Sequence, residues 1–130
     1  MILVDTSVLV AWMDPSHPHH RACSVALSRH AVREQFAVSS VTFAELAAGG
    51  RVQEAVEEEL KAFHRLELDF ASAWRAGRAF RQHRAAKSDA PVLPDFFIRA
   101  QAAILNLRHL TNDRRRTSAW PDVDFIFPEI

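Results

Sequence analysis

Ile2-Leu3-Val4-Asp5-Thr6-Ser7 is the stretch whose reading decides the fold. Three apolar, mostly branched residues are too few for a helix and suit a short buried strand. The run ends on an acid. Asp5-Thr6-Ser7 then supplies side-chain oxygens that cap a helix reaching about Trp12, which Asp14-Pro15 stops. The same unit recurs down the chain. Phe36–Val38 reads as a second strand, and Ser39 or Ser40 caps a helix ending near Gly49-Gly50. Leu66–Leu68 reads as a third strand, Arg108–Thr111 as a fourth and Asp124–Phe127 as a fifth. Further helices are predicted from Ser16 towards Arg33 and over 51–64. Another runs from an Asp69 cap to about Lys87, on a stripe of Phe70, Ala73, Trp74, Gly77 and Phe80. After a loop from Ser88 to Leu93, Pro94 opens a last helix with Phe97, Ala100, Ile104 and Leu107 at helical spacing.

Short strands alternating with helices predict a parallel sheet covered on both faces, with right-handed crossovers. The 130 residues suit one domain, 1–130, since two would each be marginal. A hydrophobic fraction of 48% and a charged fraction of 25% are globular and exclude disorder. A single cysteine, Cys23, excludes an intrachain disulfide framework and favours a reducing, cytoplasmic setting. The amino terminus lacks a signal-peptide pattern, and no run is long enough to span a bilayer, so no membrane partner is expected. With 16 Lys+Arg against 16 Asp+Glu the net charge is zero, which argues against a bulk electrostatic grip on nucleic acid. Placement of those charges then becomes the question.

Ligand sites in such sheets lie beyond the carboxyl ends of the strands. Asp5 ends the first strand, and Asp113 follows the fourth in Leu110-Thr111-Asn112-Asp113. Glu45 sits in the first turns of the helix after the second strand, and Asp95 in the first turn of the helix before the fourth. Each acid has an ordinary explanation. Asp5 is a helix cap, and Asp95 complements a helix dipole. Thr42-x-x-Glu45 is a capping box, and Asp113 a turn residue. Asp5, Glu45 and Asp113 together gather like charges on one edge, which a cation would have to relieve, while the placement of Asp95 depends on the long loop before it. Hard oxygen donors favour Mg2+ or Mn2+ over zinc. Such a site suits displacement at a phosphodiester, with Thr6, Ser7, Thr111 and Asn112 as adjacent supports.

These residues carry a resemblance. Val4-Asp5-Thr6-Ser7-Val8-Leu9, Thr42-Phe43-Ala44-Glu45-Leu46, Pro94-Asp95-Phe96-Phe97-Ile98 through Ala100, and Leu110-Thr111-Asn112-Asp113-Arg114-Arg115 resemble, in order, the motifs of the PIN-domain family. Within it they resemble the VapC-type ribonuclease toxins of bacterial toxin–antitoxin pairs. The resemblance implies an α/β/α sandwich and Mg2+- or Mn2+-dependent cleavage of RNA. It implies that Asp5, Glu45, Asp95 and Asp113 surround the metal, with Thr6 and Thr111 near it. It further implies a homodimer, neutralised by a cognate antitoxin whose segment enters the active-site groove. A non-catalytic PIN-like module binding RNA or protein is the alternative.

One departure stands out. Family members usually carry a small residue one turn after the third acid, where this chain has Arg99. Asp95 and Arg99 are i,i+4, which favours an ion pair: a solvated one, a competitor for the metal, or a guanidinium free for RNA phosphate. Of the 14 arginines, Arg81 and Arg84 drift towards the apolar side of the long helix and, with Lys87, are candidates to line an RNA groove. Arg114, Arg115 and Arg116 directly follow Asp113 and are the better candidates for RNA or antitoxin contact. His17, His19 and His20 read as surface residues at a helix entry. Trp12 and Trp74 read as core or dimer packing.

Overall fold

The computed structural model describes residues 1–86 and 93–129, with the side chains of 84–86 outside that set. The strands are β1 (Ile2–Val4), β2 (Phe36–Ser39), β3 (His64–Leu66), β4 (Arg108–Leu110) and β5 (Phe125–Ile126). The helices are α1 (Thr6–Met13), α2 (His20–Ala31), α3 (Ser40–Ala48), α4 (Gln53–Glu59), α5 (Phe70–Ala86) and α6 (Leu93–Leu105). Asp5 caps α1 by accepting from the Ser7 amide, and Ser39 caps α3 by accepting from the Val41 amide. Asp69 opens α5 by accepting from both the amide and the hydroxyl of Ser72. The expected loop over 88–93 falls outside the described residues, apart from Leu93 at the start of α6.

All five strands are parallel, in the order β3-β2-β1-β4-β5. The chain starts at the centre, runs outward through β2 and β3, then returns to the other side of β1. The β1/β4 boundary is therefore the topological switch point, where the carboxyl ends leave a crevice. β1 is wholly buried, and its side chains alternate between faces. Ile2 and Val4 join the core beneath α1, α2, α3 and α4, with Leu9, Leu27, Leu46 and Leu60. Leu3 joins Ala37 with Ile98 and Ala102 of α6 on the opposite face. That division is the α/β/α sandwich expected from the sequence. A buried Gln101 ties α6 to the sheet edge, accepting from the Ser39 hydroxyl and donating to the Glu67 carbonyl.

Three expectations are corrected. β3 lies two residues earlier than Leu66–Leu68, because register pairs Ala37 with His64 and Ser39 with Leu66. The helix expected over 51–64 shrinks to α4, which leaves room for that strand. The stripe on α5 is also misread. Ser72, Ala76 and Ala79 face inward, while Phe70 is 97% and Trp74 73% exposed. Small residues on α5 let it approach α6 closely, with Ala76, Ala79 and Ala100 in one cluster. Of the expected stripe, Phe80 packs inward, edge-on to Phe96 with ring centroids 5.5 Å apart.

Candidate active site

A cleft of about 520 Å3 opens over the switch point, and Asp5, Glu45, Asp95 and Asp113 all line it. Each arrives from a different segment: the end of β1, the second turn of α3, the first turn of α6 and the loop after β4. Thr6, Ser7, Asn112, Arg115, His17 and His19 complete much of the lining. Both histidines, expected at a plain helix entry, thus border the cleft.

The hydroxyls hold the acids in place. The Ser7 hydroxyl donates to Asp5 Oδ2 at 2.6 Å and accepts from the Asn112 amide at 3.1 Å. Thr111, fully buried, donates its hydroxyl to the same Asp5 oxygen at 3.0 Å and accepts from the Asp113 amide at 3.0 Å. The Thr6 hydroxyl donates to Glu45 Oε1 at 2.7 Å and lies 2.9 Å from the Thr42 hydroxyl oxygen. The Thr42-x-x-Glu45 capping box is therefore not formed as such: Thr42 is fully buried, and the α3 cap is Ser39. Asn112 donates to the Ser7 carbonyl and to Cys23 Sγ, pinning the β4 loop against α1 and α2.

Burial pushes the Glu45 carboxyl up; the Thr6 hydroxyl opposes this, and the charges of Asp5 and Asp95 reinforce it. Burial likewise raises Asp95, against the pull of Arg116 and with the repulsion of Asp113 and Asp5. Burial would raise Asp113 as well, but Arg115 outweighs it and holds that carboxyl below its ordinary value. His109 lies fully buried beneath the site, its Nδ1 2.9 Å from the Leu3 carbonyl oxygen. That nitrogen must carry the proton, because a carbonyl only accepts. Its Nε2 has no hydrogen-bond partner among the described residues and lies 3.9 Å from Asp5 Oδ1.

The expected Asp95–Arg99 pair is corrected. Arg99 is only 6% exposed, and its two terminal nitrogens donate to the Asp113 and Arg115 carbonyl oxygens, both at 2.6 Å. Its guanidinium also stacks over Phe125. The helix turns Arg99 into the protein rather than along the surface, so it braces the Asp113 loop and is not free for RNA. Arg116 approaches Asp95 instead, at 3.4 Å, from a left-handed backbone conformation with φ 58°. Such conformations cost energy for a side-chain-bearing residue and collect at functional sites. Arg114 is exposed and lies over the Phe127 ring. Arg81 is exposed on α5, and the Arg84 side chain falls outside the described residues.

The donors are all hard oxygens; burial chiefly raises Glu45 and Asp95, and the mutual repulsion that adds to it is what a divalent cation relieves. In kind, the residues fit Mg2+ or Mn2+. Among the described residues, no group of three His, Cys, Asp or Glu converges closely enough to hold an ion as placed. Arginines engage Asp95 and Asp113 in the present arrangement.

A parallel α/β/α domain with an acid-lined crevice at its switch point defines the class. The chain belongs to the PIN-domain family, whose model matches residues 2–125. No curated protein matches significantly. Among solved structures, the chain is similar to VapBC2 from Rickettsia felis bound to a promoter DNA fragment, at 19% identity and a TM-score of 0.77. That alignment covers 99% of this chain and 100% of the other. It is similar to a toxin–antitoxin complex from Klebsiella pneumoniae at 25% identity, covering 95% of each chain, with a TM-score of 0.72. A third neighbour is Mycobacterium tuberculosis VapC20, a sarcin–ricin-loop-cleaving toxin, at 14% identity and a TM-score of 0.64. It is covered over 99% of its length and covers 95% of this chain. Among the described residues, no helix is long and apolar enough to cross a membrane.

Proposed function

We propose that the protein is a Mg2+- or Mn2+-dependent endoribonuclease and the toxin of a cytoplasmic toxin–antitoxin pair. The observation that carries this is the meeting of Asp5, Glu45, Asp95 and Asp113, from four separate segments, in one cleft at the switch point. Asp5, Asp95 and Asp113 would hold the metal, which when bound supplies an activated water and shields the leaving oxygen of the phosphodiester. Thr111 and Ser7 fix the orientation of Asp5, and Thr6 that of Glu45. Glu45, with its raised affinity for a proton, is suited to take one from the attacking water. Arg115, exposed in the cleft lining, and its exposed neighbour Arg114 would meet the RNA backbone or the antitoxin.

The cognate antitoxin is supported by the VapBC complexes among the structural neighbours. A homodimer is supported by the exposed apolar face of Phe70, Trp74 and Ile104.

The test is cleavage of RNA with Mg2+ or Mn2+ by wild type and by Asp5→Asn. Wild type should cleave and gain thermal stability from Mn2+, while the variant should do neither. Equal cleavage by both, or none by wild type, would count against the reading. Absence of cleavage and of Mn2+ stabilisation in wild type would favour the binding-module alternative, to which the arginine-held Asp95 and Asp113 are suited.

A further inference from the structure

A second groove, of about 530 Å3, lies between α2 and the β5 end of the sheet, and the proposed chemistry does not use it. Its floor is apolar: Val25 and Ala26 of α2 face Ile126, Phe127 and Pro128. Val25 is 41% exposed. Its rim is basic, with Arg21 and Arg29 exposed and His30 between floor and rim. Glu129 is the sole acid among the described residues that line it.

β5 is an edge strand of the sheet. The amides of His109 and Thr111 donate to the Asp124 and Ile126 carbonyls. Backbone groups of alternate residues in a strand turn to opposite sides, so those of Phe125 and Phe127 turn away from β4, towards the open edge. An edge of this kind beside an apolar trough suits an added strand: main-chain bonds give affinity, and alternate side chains enter the trough.

We propose that this groove takes an extended, acidic segment of a partner polypeptide. The segment adds as a sixth strand along β5, sets its alternate apolar side chains on the Val25–Phe127 floor and places carboxylates on Arg21 and Arg29. Charge complementarity selects acid, and a largely aliphatic floor of Val25, Ala26, Ile126 and Pro128, whose one aromatic ring is Phe127, selects a peptide over RNA. A base would need an open aromatic face, and Arg114 already lies over Phe127 at 4.3 Å. His19 lines both this groove and the acid-lined cleft, so the two share a wall at that residue. Asp5→Asn should remove cleavage without touching the groove, so failure of peptide binding and failure of the nuclease reading are distinguishable.

The experiment selects random linear displayed peptides on the full-length protein and on Arg21→Glu/Arg29→Glu, whose changes lie on exposed positions and whose folding is checked by thermal melting. Wild type should enrich peptides that alternate apolar and acidic residues. Charge reversal should weaken their binding at least about tenfold. On binding, hydrogen exchange should slow at the Phe125 and Phe127 amides, a change that simple charge attraction would not produce. Three results overturn the proposal: enrichment of basic peptides, equal binding to the charge-reversed protein, or unchanged exchange at Phe125 and Phe127. Oligouridine binding that the same substitutions abolish, with no peptide selected, would overturn it in favour of an RNA surface.

Discussion

Arg115 closes around the Asp113 carboxylate through three hydrogen bonds. Its own amide and Nε donate to Oδ1 at 2.9 and 3.0 Å, and a terminal guanidinium nitrogen donates to Oδ2 at 3.1 Å. A proposed metal ligand is thus already neutralised from within the chain, by a side chain that is 67% exposed and able to move. Arg115→Ala should free the carboxylate. An exposed pair is worth about 0.5–1 kcal/mol, so Mn2+ should bind roughly twofold to fivefold tighter. Titration calorimetry checks this; unchanged or weaker Mn2+ binding would show that Arg115 does not compete with the ion.

Arg99 is a structural brace, and its substitution should act on stability. Arg99→Ala leaves the Asp113 and Arg115 carbonyls without their donor in a half-buried setting, at a cost of about 2–4 kcal/mol. Arg99→Lys should rescue little, because one ammonium does not reproduce a fork that spans two carbonyls. Denaturant unfolding measures both. A loss of only a few tenths of a kcal/mol would restore the surface ion-pair reading.

His109 makes stability depend on pH. Burial lowers its proton affinity, opposed by the Asp5 charge and the Leu3 carbonyl. Its folded pKa is therefore below its unfolded value of 6.5. The unfolded chain binds the extra proton, so this contribution is full above 6.5 and is lost as pH falls below it. The slope approaches about 1.4 kcal/mol per pH unit. Melting temperature from pH 7.5 to 5.5 should fall in wild type and flatten in His109→Gln. Parallel profiles would assign the slope to other groups.

The Phe70–Trp74 face should govern self-association and not folding. Trp74→Glu lies on a side chain that is 73% exposed, so stability should change by less than about 0.5 kcal/mol. Sedimentation should show a dimer for wild type and a monomer for the variant. A dimer in both would move the interface elsewhere.

Much of the fold was legible because its signals are local. Asp5 reads as a cap because the helix it starts begins at the next residue, Asp69 reads the same way, and of Ser39 and Ser40 the structure chooses Ser39. Asp5, Glu45 and Asp113 were legible as a group because strand ends and following helix starts share one edge in any parallel sheet, whereas Asp95 opens a helix that follows another helix and joined them only through the family resemblance. What failed was orientation about a helix axis. The large apolar side chains of α5 outweighed Ala76 and Ala79 in the sequence pattern, but close helix approach chose the small residues. Arg99 failed similarly: i,i+4 spacing offers a pair with Asp95, and burial of that helix face withdraws it.

By itself, then, the sequence determined the alternation of strands and helices, their caps and the shared edge of Asp5, Glu45 and Asp113. Those depend on residues near each other in the chain. Only the tertiary structure decided which cation meets which acid. Arg116 reaches Asp95 from 21 residues away, and Arg99 turns inward to hold the loop that carries Arg115 and Arg116; the Arg115–Asp113 pair, two residues apart, is by contrast local. The difference is physical: caps form within a few residues, whereas ion pairs across a cleft depend on distances set by how layers pack.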